Sequence, residues 1–381
     1  MYLGGLREFE QYAHHYYNIT PATDTISEQK IAAENLEMLK TVQLERQTTP
    51  KVEPMRICIT NATSDTAYHL ASLIATGRVS GKHLTVRLQL LDMGDSLLQL
   101  EGTAMELKDL ASPHLVDVHV TSSVQEALDS VAMVFILDYP HQVSEQMVTN
   151  EEQSSELASA AIHYHQYATT LDFYAQKEVK VIVSGKYANS GAAIMAKAVT
   201  SIPITNLVAC PSLAENQARS ILARKLHLNS SDVRQVAIWG RTHGPVLCDT
   251  DHTRVHHFKG AVVGPDSFSL PVNQCVFEHE WLGKEFPSLL TARHGGMEGY
   301  RSNQCPLSEA VGLVTLAQDW HSGGGGEGWR SMGLVCKGEY GVPAGLVFSV
   351  PARQCSSGDG RSVWKVEEGL AINTEIQVSR L

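Results

Sequence analysis

Three things are scarce in this 381-residue chain, and each scarcity removes a class of function. Basic charge is the first: 30 Lys and Arg stand against 41 Asp and Glu, a formal net charge of −11. No positive field is available to hold a phosphate polymer or an anionic bilayer, so neither nucleic acid nor membrane is expected as a partner. Long apolar runs are the second. The longest, Val131–Leu137, is far too short to cross a bilayer, and the N-terminus has no charged leader followed by an apolar stretch. Paired cysteines are the third: Cys58, Cys210, Cys248, Cys275, Cys305, Cys336 and Cys355 are odd in number, scattered, and form no CxxC motif. That pattern points to a reducing compartment and away from a zinc site, and a cytoplasmic protein is expected. What is plentiful is apolar residues, 43% of the chain, enough for a sizeable core in two domains or one large one.

Residues 1–50 read as a helical extension: Thr25–Glu28 fits a capping box, and Ile31, Leu36, Leu39 and Val42 recur at helical spacing. From Met55 the pattern changes to short aliphatic runs, Ile57–Thr60, Leu84–Leu91, Val131–Leu137 and Val179–Val183, separated by longer helical patterns. Such alternation predicts an α/β doubly wound parallel sheet. After about residue 200 a capped helix leads into the strand Val233–Trp239, then into runs at Val255–Phe258 and Leu346–Val350, a mixed α+β second half. No internal repeat is evident. Gly323–Gly326 is followed by no Lys-Ser/Thr, so it reads as a connection rather than a phosphate loop. Asp249, Asp251, His252, His256 and His257 are metal-ligand types, but Asp251–His257 reads as a polar turn running into a strand, whose alternate residues face opposite ways, and no metal is expected.

Leu90–Asp92, Met105–Asp109, Leu171–Ala175, Val179–Val183, Ala188–Asn189, Ser201–Pro203, Cys210–Ala218, Ile238–Gly244, Ser331–Gly333 and Tyr340–Pro343, in that order, resemble the cytosolic malate dehydrogenases over roughly residues 55–375. Gly4–Thr20, Phe277–Phe286 and Gly341–Pro351 are closer still to the family's divergent 1B branch. The resemblance implies a Rossmann-like NAD-binding domain over 55–203 and a lactate/malate dehydrogenase C-terminal-type domain over 204–381. It also implies NAD as cofactor, a small dicarboxylic or 2-hydroxy acid as substrate, and a homodimer. A further domain precedes this region in the 1B branch and a further helix follows in such dehydrogenases, so the sequence is expected to be a piece of a longer protein. Ser379–Leu381 has the form of a peroxisomal address, which we take as a chance match.

Family members bind the NAD pyrophosphate on a glycine-rich turn and helix N-terminus, where backbone N–H groups and the helix dipole favour negative charge. Here the turn reads Thr60–Ala67, and the implied cofactor contacts are Asn61, Ala62, Ser64, Asp65, Thr66, Asp92 and Gly185. The first glycine has become Asn61, which tolerates a left-handed backbone. The second has become Ser64, whose side chain takes space near the phosphate. Asp65 would cap the helix and set the protein's own anion at the dipole. Asp92 stands where the family acid binds the adenosine ribose. Lys186 replaces the asparagine that meets cofactor and substrate.

Oxidising a 2-hydroxy acid needs a base, a group that supports it once protonated, and cations that grip the carboxylates. In a gapless match over Ser201–Gly244 the family's Asp falls on Ala214, its helix-borne Arg on Gln217 and its His on Thr242. The substrate loop follows Tyr139–Pro140, and no Arg occurs between Arg87 and Arg219. His141 is the loop's nearest approach to a cation, and a solvated histidine is its ordinary explanation. Hydrogen bonds to charged groups are worth roughly 1.5–3 kcal/mol each, so the losses exceed about 6 kcal/mol of transition-state stabilisation, some ten-thousandfold in rate. A rescue is conceivable: His243 as base, Glu215 as orienting acid and Arg241 as clamp, against which Ser212–Glu215 forms a capping box that would occupy Glu215. The leading expectation is a malate dehydrogenase family member, nominally NAD-dependent, whose turnover is very weak or absent. The alternatives are a non-catalytic scaffold or nucleotide sensor with a protein partner, and a dehydrogenase of altered 2-hydroxy acid substrate.

Overall fold

The computed structural model describes residues 53–79, 84–137, 150–242, 246–258, 268–295, 305–322, 328–356 and 362–370. The helical extension, the loop at Tyr139–Met147, His243, Gly323–Gly326 and Ser379–Leu381 lie outside the described residues. Six strands, β1 (Met55–Thr60), β2 (Val86–Leu91), β3 (Leu115–Thr121), β4 (Met133–Leu137), β5 (Lys180–Ser184) and β6 (Leu207–Ala209), pair in parallel in the order β3-β2-β1-β4-β5-β6. This is the doubly wound order, whose direction reverses between β1 and β4. The strand β4, Met-Val-Phe-Ile-Leu, is buried at every residue, as a parallel strand covered on both faces must be.

The crossovers are helical. They are α1 (Asp65–Ala75), α2 (Leu97–Asp109), the short α3 (Val124–Leu128), α4 (Asn150–Tyr174) and α5 (Ala188–Ala198). Beyond β6 come α6 (Ser212–Leu226), β7 (Val233–Arg234), β8 (Ala237–Trp239), β9 (Leu247–Asp249), β10 (Arg254–His256), β11 (Ser269–Pro271), α7 (Val272–Cys275), α8 (Phe286–Gly295) and α9 (Pro306–Ser322). Finally β12 (Arg330–Val335), β13 (Val347–Ser356) and β14 (Ser362–Val366) extend the parallel sheet antiparallel past β6, making nine strands in all. A Cβ on Gly333 would stand 2.6 Å from the Ala209 Cβ, so β12 closes on β6 because glycine is there.

Two local expectations are corrected. The predicted strand Val233–Trp239 is two strands, because Gln235 has φ 57 and breaks the extended run. The predicted capping box at Ser212 does not form: Pro211 is the N-cap, Ser212 is already helical, and no side chain caps the start.

The apolar stripe of α9, Ala310, Leu313, Val314, Leu316, Ala317 and Trp320, joins Ile57, Ile59, Leu70 and Ile74 in one core, so α9 lies against α1. A second core fills the opposite face of the sheet under α4 and α5. A third lies between α6, α8 and the small strands β7, β8 and β10.

Candidate functional site at the carboxyl edge of the sheet

In a sheet of this order, ligands sit outside the carboxyl ends of the strands at the reversal point. The turn after β1 is built for close approach there. Asn61 has φ 48, the left-handed backbone its side chain tolerates, and is buried. Ala62 is buried and its N–H donates to Leu91 O at 3.2 Å, while Ala67 packs beneath the turn.

The cap of α1 differs from expectation. Ser64, in extended conformation, accepts from Ala67 N at 3.2 Å and donates from Oγ to Asn61 O at 2.8 Å, so Ser64 rather than Asp65 caps the helix. Asp65 is already the first helical residue and exposed, and acts on the dipole alone. The N–H groups of Asp65 and Thr66 have no carbonyl within their own helix.

Asp92, buried after β2, ties the turn down. Its carboxylate accepts from Thr63 N at 2.9 Å, Thr63 Oγ1 at 2.6 Å and Met93 N at 2.7 Å. Across the reversal point, Leu137 N donates to Thr60 Oγ1 at 3.1 Å, pinning the ends of β1 and β4 together. Gly185 has φ 113, which turns the chain off β5 toward Lys186; that lysine is exposed, 5.0 Å above the Tyr187 ring.

Glu309, in the first turn of α9, faces this edge. Its carboxylate accepts from Thr66 Oγ1 at 3.0 Å and from Ser184 Oγ at 2.6 Å, bridging the start of α1 to the end of β5. Cys210, at the end of β6, is close enough to feel it; burial first, and this carboxylate in addition, push the thiol up to about 11. Sequence reasoning passed over Glu309. The signal was present, because Glu309 lies at helical spacing with Leu313, Leu316 and Trp320 on the buried stripe of α9, where a carboxylate is out of place.

The positions implied for catalysis carry neutral side chains, and the two polar ones are hydrogen-bonded to other parts of the chain. Ala214 is fully buried in the third core. Gln217 is buried, with Oε1 2.8 Å from His294 Nδ1 and Nε2 3.5 Å from Cys305 Sγ. An amide oxygen can only accept, so His294 donates from Nδ1. Thr242, also buried, donates from N and Oγ1 to Asn189 Oδ1 at 3.0 and 2.7 Å. Asn189 in turn donates to Gly240 O and Val347 O.

Of the suggested rescue trio, His243 lies outside the described residues. Glu215 is buried, but its carboxylate pairs with Arg219 one turn along α6 and not with a backbone N–H or an imidazole. Arg241 is exposed. Asp249 and His256 are buried, and Asp251 N donates to Asp249 at 2.8 Å. His257 meets Asp232 at 3.0 Å, and among the described residues no cluster of three metal-ligand types occurs. No described helix is long and apolar enough to cross a membrane.

No family model matches the chain. It is 29% identical over 378 residues to "Putative malate dehydrogenase 1B" of Branchiostoma floridae, covering 99% of this chain and 70% of that one. It is 32% identical over 322 residues to the cytoplasmic malate dehydrogenase of Zea mays, covering 84% of this chain and 91% of that one. The crystal structure of the malate dehydrogenase of Naegleria fowleri superposes with a TM-score of 0.72 at 25% identity, over 85% of this chain and 92% of that one. The sheet order, the turn after β1 and these likenesses agree: the chain belongs to the malate dehydrogenase family.

Proposed function

We propose that this protein holds a nicotinamide adenine dinucleotide at the carboxyl edge of its sheet and does not turn over malate at a useful rate. The residues fit the dinucleotide on three counts: the left-handed turn at Asn61, the small Ala67 packed beneath it, and Asp92 at the end of β2 where the adenosine ribose belongs. Ser64 is compatible because its hydroxyl folds back into the turn, leaving the first-turn N–H groups of Asp65 and Thr66 to meet phosphate. When bound, the dinucleotide supplies a hydride acceptor. The chain supplies the turn, the acid and the helix start.

The loss of turnover rests on one observation: Thr242, matched to the family base, is buried and bonded to Asn189, with no imidazole in its place. Gln217, matched to a gripping arginine, is likewise bonded to His294. A hydroxyl and an amide neither take a proton from a 2-hydroxy acid nor neutralise its carboxylates at neutral pH. In this reading the protein acts in the cytoplasm as a dinucleotide-responsive member of an enzyme family, and the exposed face of α2, with Leu98 and Met105, presents a surface for a second copy. Titration of the purified chain with NADH, followed by oxaloacetate, tests it. Saturable binding without NADH consumption supports the reading, and rapid consumption or the absence of binding opposes it.

A further inference from the structure

Glu309 stands where the two halves of the crevice meet. A doubly wound sheet carries its dinucleotide as two mononucleotide halves, one over each βαβαβ unit. Asp92, after β2, marks the half that takes adenosine. The other half lies over β4, β5 and β6, and the Glu309 carboxylate reaches it through Ser184 at the end of β5, while its second oxygen accepts from Thr66 at the start of α1. It is fixed there. Two hydroxyls donate to it, and α9 is packed closely at the next turn, where a Cβ on Gly312 would stand 2.8 Å from the Cβ of Ser212.

We propose that Glu309 makes this crevice select the oxidised nicotinamide dinucleotide over the reduced one. The inference rests on the dinucleotide reading above. The oxidised ring is a pyridinium cation and the reduced ring is neutral, so a carboxylate held on the nicotinamide side attracts one form and leaves the other almost unaffected. Only such a differential interaction can shift a binding preference. At the effective dielectric of about 20 that suits a partly buried site, opposite unit charges within about 12 Å attract by roughly 1.4 kcal/mol or more, a preference of at least about tenfold. The same negative charge repels dicarboxylates, in keeping with the missing arginine grip.

The test is calorimetric or fluorescence titration of the intact chain with NAD+ and with NADH, for the wild type and Glu309→Gln. The expected result is that the wild type binds NAD+ at least about tenfold more tightly than NADH, and that Glu309→Gln shrinks this gap by about the same factor, chiefly by weakening NAD+. Equal or tighter binding of NADH by the wild type overturns the inference while leaving the dinucleotide reading intact. So does a gap that is unchanged in a folded Glu309→Gln or Glu309→Ser variant, with folding checked by thermal denaturation. Failure of the wild type to bind either form overturns both readings.

Discussion

The side-chain carbonyl of Asn189 accepts both the backbone N–H and the hydroxyl of Thr242, at 3.0 and 2.7 Å. Its amide donates to Gly240 O at 3.1 Å and Val347 O at 3.0 Å, so one side chain from the first turn of α5 ties β13 to the segment after β8. Asn189→Ala leaves these groups unsatisfied in a region where Thr242 is buried. It should cost about 3 kcal/mol of unfolding free energy, and Thr242→Val about 1 kcal/mol. Denaturant titration measures both; a loss below about 0.5 kcal/mol for Asn189→Ala contradicts this account. Thr242→His should lose the hydroxyl bond to Asn189 without gaining malate turnover, because no cation replaces Gln217.

The pairing of Glu215 with Arg219 gives a second expectation. Glu215 is 3% exposed, so Glu215→Ala leaves the Arg219 guanidinium without its partner and should destabilise the fold by about 2 kcal/mol, after discounting for the partial exposure of Arg219. If Glu215 instead oriented a catalytic base, the variant would keep its stability and lose a pH-dependent activity. Thermal denaturation alongside a pH–rate scan with monocarboxylic 2-keto acids separates the two.

Acid should weaken the junction between α4 and α5. Partial burial works to raise the Asp172 carboxyl, but hydrogen bonds from Thr200 and Ser201 outweigh it and hold the group well below the usual carboxylate range. A folded-state pKa below the unfolded one adds stability that is complete above about pH 4 and is lost as pH falls below it. Asp172→Asn should therefore be less stable than the wild type at pH 7 and lose less on going to pH 3. Equal slopes for the two proteins in denaturant midpoints between pH 5 and pH 3 count against this assignment.

Helix α2 exposes Leu98 and Met105, 86% and 62% exposed, seven residues apart on one face. Gly102 lies between them, with open space where a Cβ would stand, which leaves the face flat. Exposed apolar side chains on one helix face are the kind of surface that an association would cover. A homodimer resting on α2 predicts that Leu98→Asp with Met105→Asp halves the sedimenting mass and leaves the fold intact. A wild type that sediments as a monomer at tens of micromolar removes the dimer from the proposal.

Much of the sheet was readable in advance because parallel strands are uniformly apolar: the runs read as Ile57–Thr60, Leu84–Leu91, Val131–Leu137 and Val179–Val183 fall on β1, β2, β4 and β5. The strand β3 was harder, since Leu-Val-Asp-Val-His-Val-Thr alternates polar and apolar at a sheet edge, and β6 is only three residues long. Gln235 gave no warning of its left-handed backbone, because nothing in the local sequence demands it. At the site, the turn from Asn61 to Ala67 was legible from the residue types each conformation needs. Which oxygen would cap α1 was not, because adjacent Ser64 and Asp65 are equally good caps and backbone geometry decides between them. The Glu309 bridge joins residues 125 and 243 positions apart in the chain, a proximity that only the packing of α9 against α1 creates.

The most direct test of the central claim is absorbance at 340 nm after malate is added to the chain with NAD+ present at a concentration first shown by titration to saturate it. The expected trace stays at the uncatalysed background despite full occupancy. Steady NADH formation at the rate of an ordinary cytoplasmic malate dehydrogenase would contradict it.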